Sequence, residues 1–325
     1  MKWAEKPYHS LDYEMKRRFG EKVYRLALNG GMTCPNRDGT LGYGGCIFCS
    51  SGGSGEFAAD AALSVTGQIL QQKKQILAKR PVHKFIAYFQ AYTNTYAPVE
   101  YLERIFLEAI RDEDIVALSV ATRPDCLPDD VLDLLERLNR RKPVWIELGL
   151  QTVHDSTAAL IRRGYGLSTF EDAVRKLRAR GLEVIVHVIL GLPGETSGQM
   201  LETVNYLNTC DIQGIKLQLL HILKGTDLET YYHETPFPIM TMEEYIELLI
   251  DCIEHLSPDI VIHRLTGDGP AGLLIAPQWS RSKRTVLNRF HAAMRSRNTW
   301  QGKAFTGQQE NSGGALCRNH LHYIN

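Results

Sequence analysis

Three cysteines near the start of the chain, Cys34, Cys46 and Cys49, follow the spacing C-x11-C-x2-C. The glycine pairs at 44–45 and 52–53 lie beside the last two, and glycine lets a loop turn tightly enough to aim several sulfurs at one point. Three thiolates without a fourth cysteine nearby suit a metal or iron–sulfur cluster with one open coordination position. An open position indicates chemistry, so the spacing favours a cofactor-dependent enzyme.

A structural zinc site is the alternative interpretation of the same cysteines. A site of three cysteines and one histidine needs a further ligand such as His9 or His83. Neither histidine lies at the spacing typical of a zinc finger. The sequence therefore favours a cluster and keeps zinc as the second option.

The segments that must position the cysteines alternate between strand and helix patterns. Apolar runs predict strands at 23–28, 85–89, 115–121, 144–150, 184–190, 215–220 and 260–265. Several are nearly continuous runs of Val, Ile and Leu, as in parallel strands covered on both faces. Helical patterns lie between them at 66–79, 99–111, 128–139, 169–180, 197–210 and 242–256.

Helix-start signals support this alternation. Ser168, Thr196 and Thr241 each precede Glu or Gln by three residues, which predicts capping boxes. Six or more β–α units predict a parallel sheet, either closed as a barrel or open. In β/α barrels the chemistry lies at the C-terminal ends of the strands. The cysteine loop directly follows the first strand, so we expect it at that end.

Short motifs at the predicted strand ends resemble one family. They are the cysteine loop with Phe48 beside its last cysteine, ATRPD at 121–125, ELGLQT at 147–152, RGY at 163–165, HVILGLPG at 187–194 and KGTDL at 224–228. Together, over about residues 20–280, they resemble the radical S-adenosylmethionine (SAM) superfamily. The x11 spacer departs from the common x3 and is similar to the branch related to the Elongator catalytic subunit. Without an acetyltransferase domain, the chain resembles the stand-alone bacterial YhcC type.

This resemblance implies a fold and two cofactors. The fold is an α/β partial (β/α)6-type TIM barrel with a basic, helical C-terminal extension. Cys34, Cys46 and Cys49 are implied to bind three irons of a [4Fe-4S] cluster, whose fourth iron takes the amino and carboxylate groups of SAM. One electron from the cluster then breaks a carbon–sulfur bond and yields a 5′-deoxyadenosyl radical, while the protein positions the reactants and excludes water.

Further SAM contacts are expected at the ends of the second and third strands. The segment at 90–95 takes the place of the superfamily's Gly-Gly-Glu, so backbone carbonyls or Thr93 and Asn94 are expected to hold the amino group. Arg123 is a candidate for the SAM carboxylate, because a guanidinium binds carboxylates through two parallel hydrogen bonds. It could equally pair with Asp125.

The later strand ends supply the remaining candidates. Arg163 is a second candidate for the carboxylate, with Arg162 as a rival. Gln151 is expected to contact the ribose or substrate, and Ile189 to lie against the adenine, although packing alone explains Ile189 as well.

Three other residues leave two interpretations open. Glu147 needs a partner if it is buried, and that pairing is structural or functional. His187 shares a strand face with apolar residues, as a satisfied core histidine or a site residue. Cys126 follows the third strand and is a radical relay or a small buried hydrophobe.

Charge is unevenly distributed along the chain. The 37 basic and 37 acidic residues balance, yet positions 281–325 hold eight basic residues and one acid, Glu310. A basic helix over 281–303, with Trp279 and Trp300 nearby, suits contact with tRNA phosphates, or it is an ordinary solvated face. The predicted organisation is an N-terminal extension at 1–20, the barrel at 21–280, this helix, and a poorly ordered tail at 304–325.

The resemblance thus implies a radical SAM enzyme that modifies the C5 side chain of a tRNA wobble uridine, with an electron donor such as a flavodoxin or ferredoxin. Radical chemistry on a small metabolite and a non-catalytic, metal-stabilised RNA-binding module are the alternatives. No apolar run reaches the roughly 18 residues of a membrane span. The N-terminus lacks a signal-peptide pattern and the cysteines lack disulfide spacing, so we expect a cytoplasmic protein.

Overall fold

A single parallel sheet organises the computed structural model, which describes residues 3–307. Its seven strands pair in chain order. They are β1 (Val23–Leu28), β2 (Lys84–Phe89), β3 (Ile115–Thr122), β4 (Val144–Gln151), β5 (Glu183–Leu190), β6 (Gly214–Leu219) and β8 (Val261–Arg264). Two further short strands, β7 (Ile222–Leu223) and β9 (Leu274–Ala276), form an antiparallel pair. The predicted α/β partial barrel is confirmed, with a seventh strand beyond the six implied.

Helices flank and connect the strands, and most of them cover the outer face of the sheet. They are α1 (Leu11–Phe19), α2 (Val65–Leu77), α3 (Val99–Arg111), α4 (Asp129–Asn139), α5 (Asp155–Leu160), α6 (Leu167–Ala179), α7 (Ser197–Leu207), α8 (Asp227–Glu234), α9 (Met242–His255), a 3-10 turn (Gln278–Arg281) and α10 (Lys283–Ser296). None of the described helices is long and apolar enough to cross a membrane. From position 308 onward, the predicted tail lies outside the described residues.

Two of the three predicted capping boxes are present. The side chains of Thr196 and Thr241 each accept a hydrogen bond from the backbone amide three residues on, and their own amides donate the reciprocal bond to the side chain of that residue. The box predicted at Ser168 is wrong. Helix α6 begins one residue before Ser168, at Leu167, after the N-cap residue Gly166, so the Ser168 side chain lies inside the helix.

The N-terminal segment covers two exposed parts of the sheet. The carbonyl of His9 accepts a hydrogen bond from the backbone of Ile262 at 2.7 Å, which extends the sheet past the edge strand β8. Met15 of α1 packs with alternate residues of the inner sheet face, among them Trp145 and Ile185. Helix α1, which sequence patterns did not predict, therefore closes the N-terminal end of the barrel and leaves the opposite end open.

Candidate radical SAM active site

One cavity of ≈ 260 Å³ lies at the C-terminal ends of the strands. Alternate residues of β4 and β5 reach it, because successive side chains of a strand point to opposite faces. On β4 these are Glu147, Gly149 and Gln151, and on β5 they are His187 and Ile189. The next residues toward the N-terminal end on the same faces, Trp145 and Ile185, belong to the apolar plug around α1. The barrel interior thus changes from apolar to polar along the strands.

All three predicted cysteines line this cavity. Two polar side chains of the loop hold its shape. Arg37 donates to the carbonyl of Cys49 at 2.7 Å, and the Asn36 amide donates to the Arg162 carbonyl at 2.7 Å and to Cys46 Sγ at 3.7 Å. The sequence reading did not single out either residue. Their signal was a polar pair two and three residues after Cys34, at the start of a glycine-rich loop.

The surroundings of the sulfurs disfavour free thiolates and favour thiolates that are bound to a positive partner. Burial raises the pKa of Cys46 to about 11, with Cys49 acting in the same direction, while Arg123 opposes the shift. Burial also raises the pKa of Cys49, against the opposing charge of Arg37. Thiolates therefore require a further positive partner, which an iron–sulfur cluster supplies when it displaces the protons.

A single metal ion fits these residues poorly. Within residues 3–307, no three His, Cys, Asp or Glu side chains come close enough to hold one ion. His9 bonds Glu14 of α1 at 3.1 Å, and His83 precedes β2, so both lie toward the N-terminal end of the barrel. A four-iron cluster separates its cysteine sulfurs more widely than one ion does, because each thiolate binds a different iron. The donor set therefore fits a cluster better than zinc.

Five of the predicted cofactor-binding residues line the cavity beside the cysteines: Phe48, Thr93, Arg123, Gln151 and Ile189. Arg123 is also bound to Asp125, at 2.9 and 2.7 Å, and donates to the Arg163 carbonyl at 3.0 Å. The pairing with Asp125, left open by the sequence, is therefore present.

Two predicted residues do not reach the cavity. The Asn94 side chain is fully buried and donates to the Ala121 carbonyl at 2.8 Å. Arg163 is buried and donates to the carbonyls of Leu150 and Thr152 at 2.9 and 2.6 Å. Both are committed to the backbone at strand ends, so they position the wall of the cavity from behind.

Backbone strain occurs at the cavity wall. Tyr92 and Gln151 have φ values of 60° and 64°, in the left-handed region that residues with a Cβ rarely adopt. Each such residue costs roughly 1–3 kcal/mol and persists where its surroundings fix it, often at functional sites. The same turn brings the side-chain amide of Gln151 close to Gly149. A Cβ at position 149 would lie 2.6 Å from the Gln151 Nε2 atom.

Glu147 is the centre of a buried polar network at the floor of the cavity. Its carboxylate accepts hydrogen bonds from Ser119 and His187, each at 2.8 Å, and from Lys216. Arg25 lies 3.5 Å from it and also donates to His263 on β8 at 2.8 Å. Strands β1, β3, β4, β5, β6 and β8 therefore meet in one network, of which sequence reasoning identified two residues as candidates.

The charges in this network set the protonation states of Glu147 and His187. Desolvation alone raises the pKa of Glu147, but the charges of Lys216 and Arg25 outweigh it and hold that pKa well below its usual range. Burial lowers the pKa of His187 to about 4, and Lys216 acts in the same direction. Neutral His187 donates from Nε2 to Glu147, so its Nδ1 is an acceptor that the Gln218 amide approaches to 3.4 Å.

Sequence comparisons relate this chain to a known protein family. Residues 34–207, more than half of the chain, match the Radical SAM superfamily, and residues 212–296 match the Radical_SAM C-terminal domain. This chain belongs to the radical SAM superfamily. YtqA of Bacillus subtilis is 45% identical over 95% of this chain and 96% of its own length. YhcC of Escherichia coli K12 is 39% identical over 84% and 88%.

More distant relatives share the fold or part of the sequence. Elp3 of Methanocaldococcus infernus, with its N-terminus deleted, superposes with a TM-score of 0.63 over 86% of this chain and 64% of that one, at 17% identity. A protein named tRNA uridine(34) acetyltransferase from Dehalococcoides mccartyi is 31% identical over 50% of this chain and 35% of its own length. The predicted relation to YhcC-type radical SAM proteins is confirmed.

Two other candidates lie outside the radical SAM cavity. Cys126 is buried and lines a neighbouring groove, with its thiol 3.7 Å from Asp125. Burial raises its pKa to about 12, as for an inert buried thiol. The predicted basic helix is present as α10, but its cations are partly neutralised. Arg289 and Arg297 pair with acids of α9, and Lys283 binds both oxygens of Asp268 at 2.7 Å.

Proposed function

We propose that this radical SAM enzyme holds a [4Fe-4S] cluster on Cys34, Cys46 and Cys49 and binds SAM in the adjoining cavity. One observation carries the proposal: three thiols of one loop share a single cavity with the polar ends of β2 to β6. When bound and reduced, the cluster supplies the electron that cleaves SAM to methionine and a 5′-deoxyadenosyl radical. The chain's own residues bind and orient SAM and keep water from the cavity.

The cavity walls supply the contacts in this scheme. Thr93 and the adjacent carbonyls receive the SAM amino group, and Arg123 faces the carboxylate. Gln151 binds the ribose, while Phe48 and Ile189 provide apolar surface for the adenine. Asn94 and Arg163 act through the backbone, because their hydrogen bonds fix the ends of β3 and β4.

The substrate we propose is a tRNA wobble uridine with a modified C5 side chain. Support comes from the similarity to a tRNA uridine(34) acetyltransferase over half of this chain. A base must leave its stack to reach a cavity at the end of a barrel, and enzymes that act on bases extrude them in this way. In this scheme the protein works in the cytoplasm with a flavodoxin or ferredoxin as electron donor.

The cofactor proposal is tested under anaerobic conditions with Cys49→Ala. The purified chain is reconstituted with iron and sulfide and reduced, and 5′-deoxyadenosine formed from SAM is measured with and without tRNA. We expect four irons and deoxyadenosine from the wild type, and loss of both in the variant. Cys126→Ala is the matched control, because its thiol lies outside the cavity. Bound zinc with no SAM cleavage would contradict the proposal.

The substrate proposal requires a separate comparison. tRNA from cells that lack this gene is added either intact or after complete digestion to nucleosides. We expect only intact tRNA to stimulate deoxyadenosine formation. We also expect one of its anticodon nucleosides to change in mass. Equal stimulation by the digest would support the small-metabolite alternative, which the acid-paired cations of α10 also favour.

A further inference from the structure

The β6–β8 side of the cavity is rich in groups that attract anions. Lys216 and Arg264 line the cavity from these two paired strands, and His221 lines it from the loop after β6. Gly267 lies so close that a Cβ there would be 2.8 Å from the His221 ring. The three side chains, here called the β6–β8 triad, therefore form part of one wall.

Positive charge exceeds negative charge around this wall. Arg25, Lys216 and Arg264 are the cations, and Glu147 is the buried carboxylate that faces them. Glu147 already accepts bonds from Ser119, His187 and Lys216. Burial lowers the pKa of Lys216 well below its usual range. Even when Lys216 gives up its proton, two guanidinium groups face one carboxylate.

The other acid near the wall is shared between two cations. Asp268 forms an ion pair with Arg264 at 3.8 Å, too long for a hydrogen bond, while Lys283 binds both of its oxygens at 2.7 Å. Uncompensated cations in a poorly solvated cavity are costly unless an anion pairs with them. SAM brings a further positive charge as a sulfonium, and its own carboxylate is assigned to the cluster side of the cavity. The excess positive charge on this wall therefore requires an anion other than the SAM carboxylate.

Two members of the triad have hydrogen-bonding capacity to spare. Among the described residues, the Arg264 side chain makes no hydrogen bond, although it is three-quarters buried at 27% exposure. His221 Nε2 is buried and also lacks a partner among residues 3–307. Burial lowers the pKa of His221 to about 4, so the ring is neutral and can donate one N–H without adding charge. A buried polar atom without a hydrogen-bond partner, such as His221 Nε2, is rare in native proteins.

We propose that Lys216, His221 and Arg264 form a subsite for an anionic oxygen group of the substrate, either a carboxylate or a phosphate. The inference rests on the proposed function, because it places this group in the same cavity as SAM. A guanidinium can bind either group through two parallel hydrogen bonds, and Lys216 and His221 add one donor each. For a tRNA substrate, the group is a carboxylate on the base side chain or the phosphate of the extruded nucleotide.

Anion binding is measured directly on the reconstituted enzyme with SAM present. Calorimetric titrations use sodium acetate, inorganic phosphate and, as a neutral probe of similar shape, acetamide. We expect acetate or phosphate to bind saturably and acetamide not to. Arg264→Gln should weaken the binding about 10- to 100-fold, as for the loss of hydrogen bonds to a charged group. Arg264→Lys keeps the charge and should weaken it less.

Arg284→Gln is the matched control, because it removes the same charge from an exposed position on α10. Stronger binding of acetate assigns the subsite to a carboxylate, and stronger binding of phosphate assigns it to a nucleotide phosphate. The inference is overturned if neither anion binds more tightly than acetamide, or if Arg284→Gln weakens binding as much as Arg264→Gln. SAM cleavage by the wild type separately tests the proposed function, so one idea can fail while the other stands.

Discussion

The floor of the cavity and the α9–α10 surface use the same kinds of charged residue in opposite ways. On the surface, Arg289 pairs with Glu243 and Arg297 with Glu247, one acid for each cation. At the floor, several cations share Glu147. The surface side chains are largely exposed, whereas those of Glu147 and Lys216 are 0% and 2% exposed. Several cations therefore share one carboxylate in the interior, whereas each of these two surface cations has an acid of its own.

This difference shows why charge counted along a sequence can mislead. The run after residue 281 has an excess of basic residues, yet α10 packs beside the acids of α9. The interior cations contribute one residue per strand and produce no run at all. Net charge matters for binding where the fold leaves it unpaired, and pairing is a property of three-dimensional contacts.

The largest difference between the two regions is expected in stability. Glu147→Gln removes the shared carboxylate and leaves Lys216 and Arg25 buried without a counter-charge, which should destabilise the fold by about 3–5 kcal/mol. Glu243→Gln, the matched surface change, should cost about 0–1 kcal/mol, because an exposed pair is screened by water. Urea unfolding of both variants measures the two costs. Equal costs would show that the floor network contributes no more stability than one exposed ion pair.

The contribution of Glu147 to the free energy of unfolding should also depend on pH. Because the pKa of folded Glu147 is held well below its usual range, its ionisation stabilises the fold above the unfolded value of about 4.3, and this contribution is lost as pH falls. Below pH ~4.3 the wild type should lose about 1.4 kcal/mol per pH unit relative to Glu147→Gln. Urea unfolding of both proteins at pH 7, 5 and 3.5 tests this. A difference in unfolding free energy between the wild type and Glu147→Gln that stays constant over this range would contradict it.

The sequence predicted the sheet closely, since strands buried on both faces are nearly continuous apolar runs. The predicted run 23–28 coincides with Val23–Leu28, and the other main-sheet strands differ by one or two residues at their ends. Helix α1 was missed because its sequence is mostly polar and only a few residues, such as Met15, enter the barrel.

The site was predictable where its chemistry is local. The cysteines are close in sequence, and the motifs after the strands point to one end of the barrel. The floor is not local. Lys216 and Arg25 look like single polar residues in apolar strands, and curvature of the sheet brings β1 near β8, so that the side chain of Arg25 bonds that of His263 at 2.8 Å. Likewise, Asn94 and Arg163 have suitable chemistry, but their side chains turn to the backbone and away from the cavity.

The smallest expected effect concerns tRNA binding by α10. If this helix contacts phosphates, its contacts should come from Arg284 and Arg295, which have no acidic partner in the described part of the chain. The double change Arg284→Gln with Arg295→Gln should weaken binding and reduce the slope of log K against log salt by about 1.4–1.8, the value for two phosphate contacts. The paired residues Arg289 and Arg297, changed together, should alter the slope less.

Fluorescence anisotropy of labelled tRNA between 50 and 200 mM salt, roughly the range in which phosphate contacts change affinity most clearly, gives both slopes. Equal reductions in the two double variants would mean that the ion pairs with Glu243 and Glu247 open when tRNA binds. In that case α10 would present its full basic charge, and the contrast with the cavity floor would hold for the free protein alone. No change in either variant would show that α10 makes no phosphate contacts with tRNA.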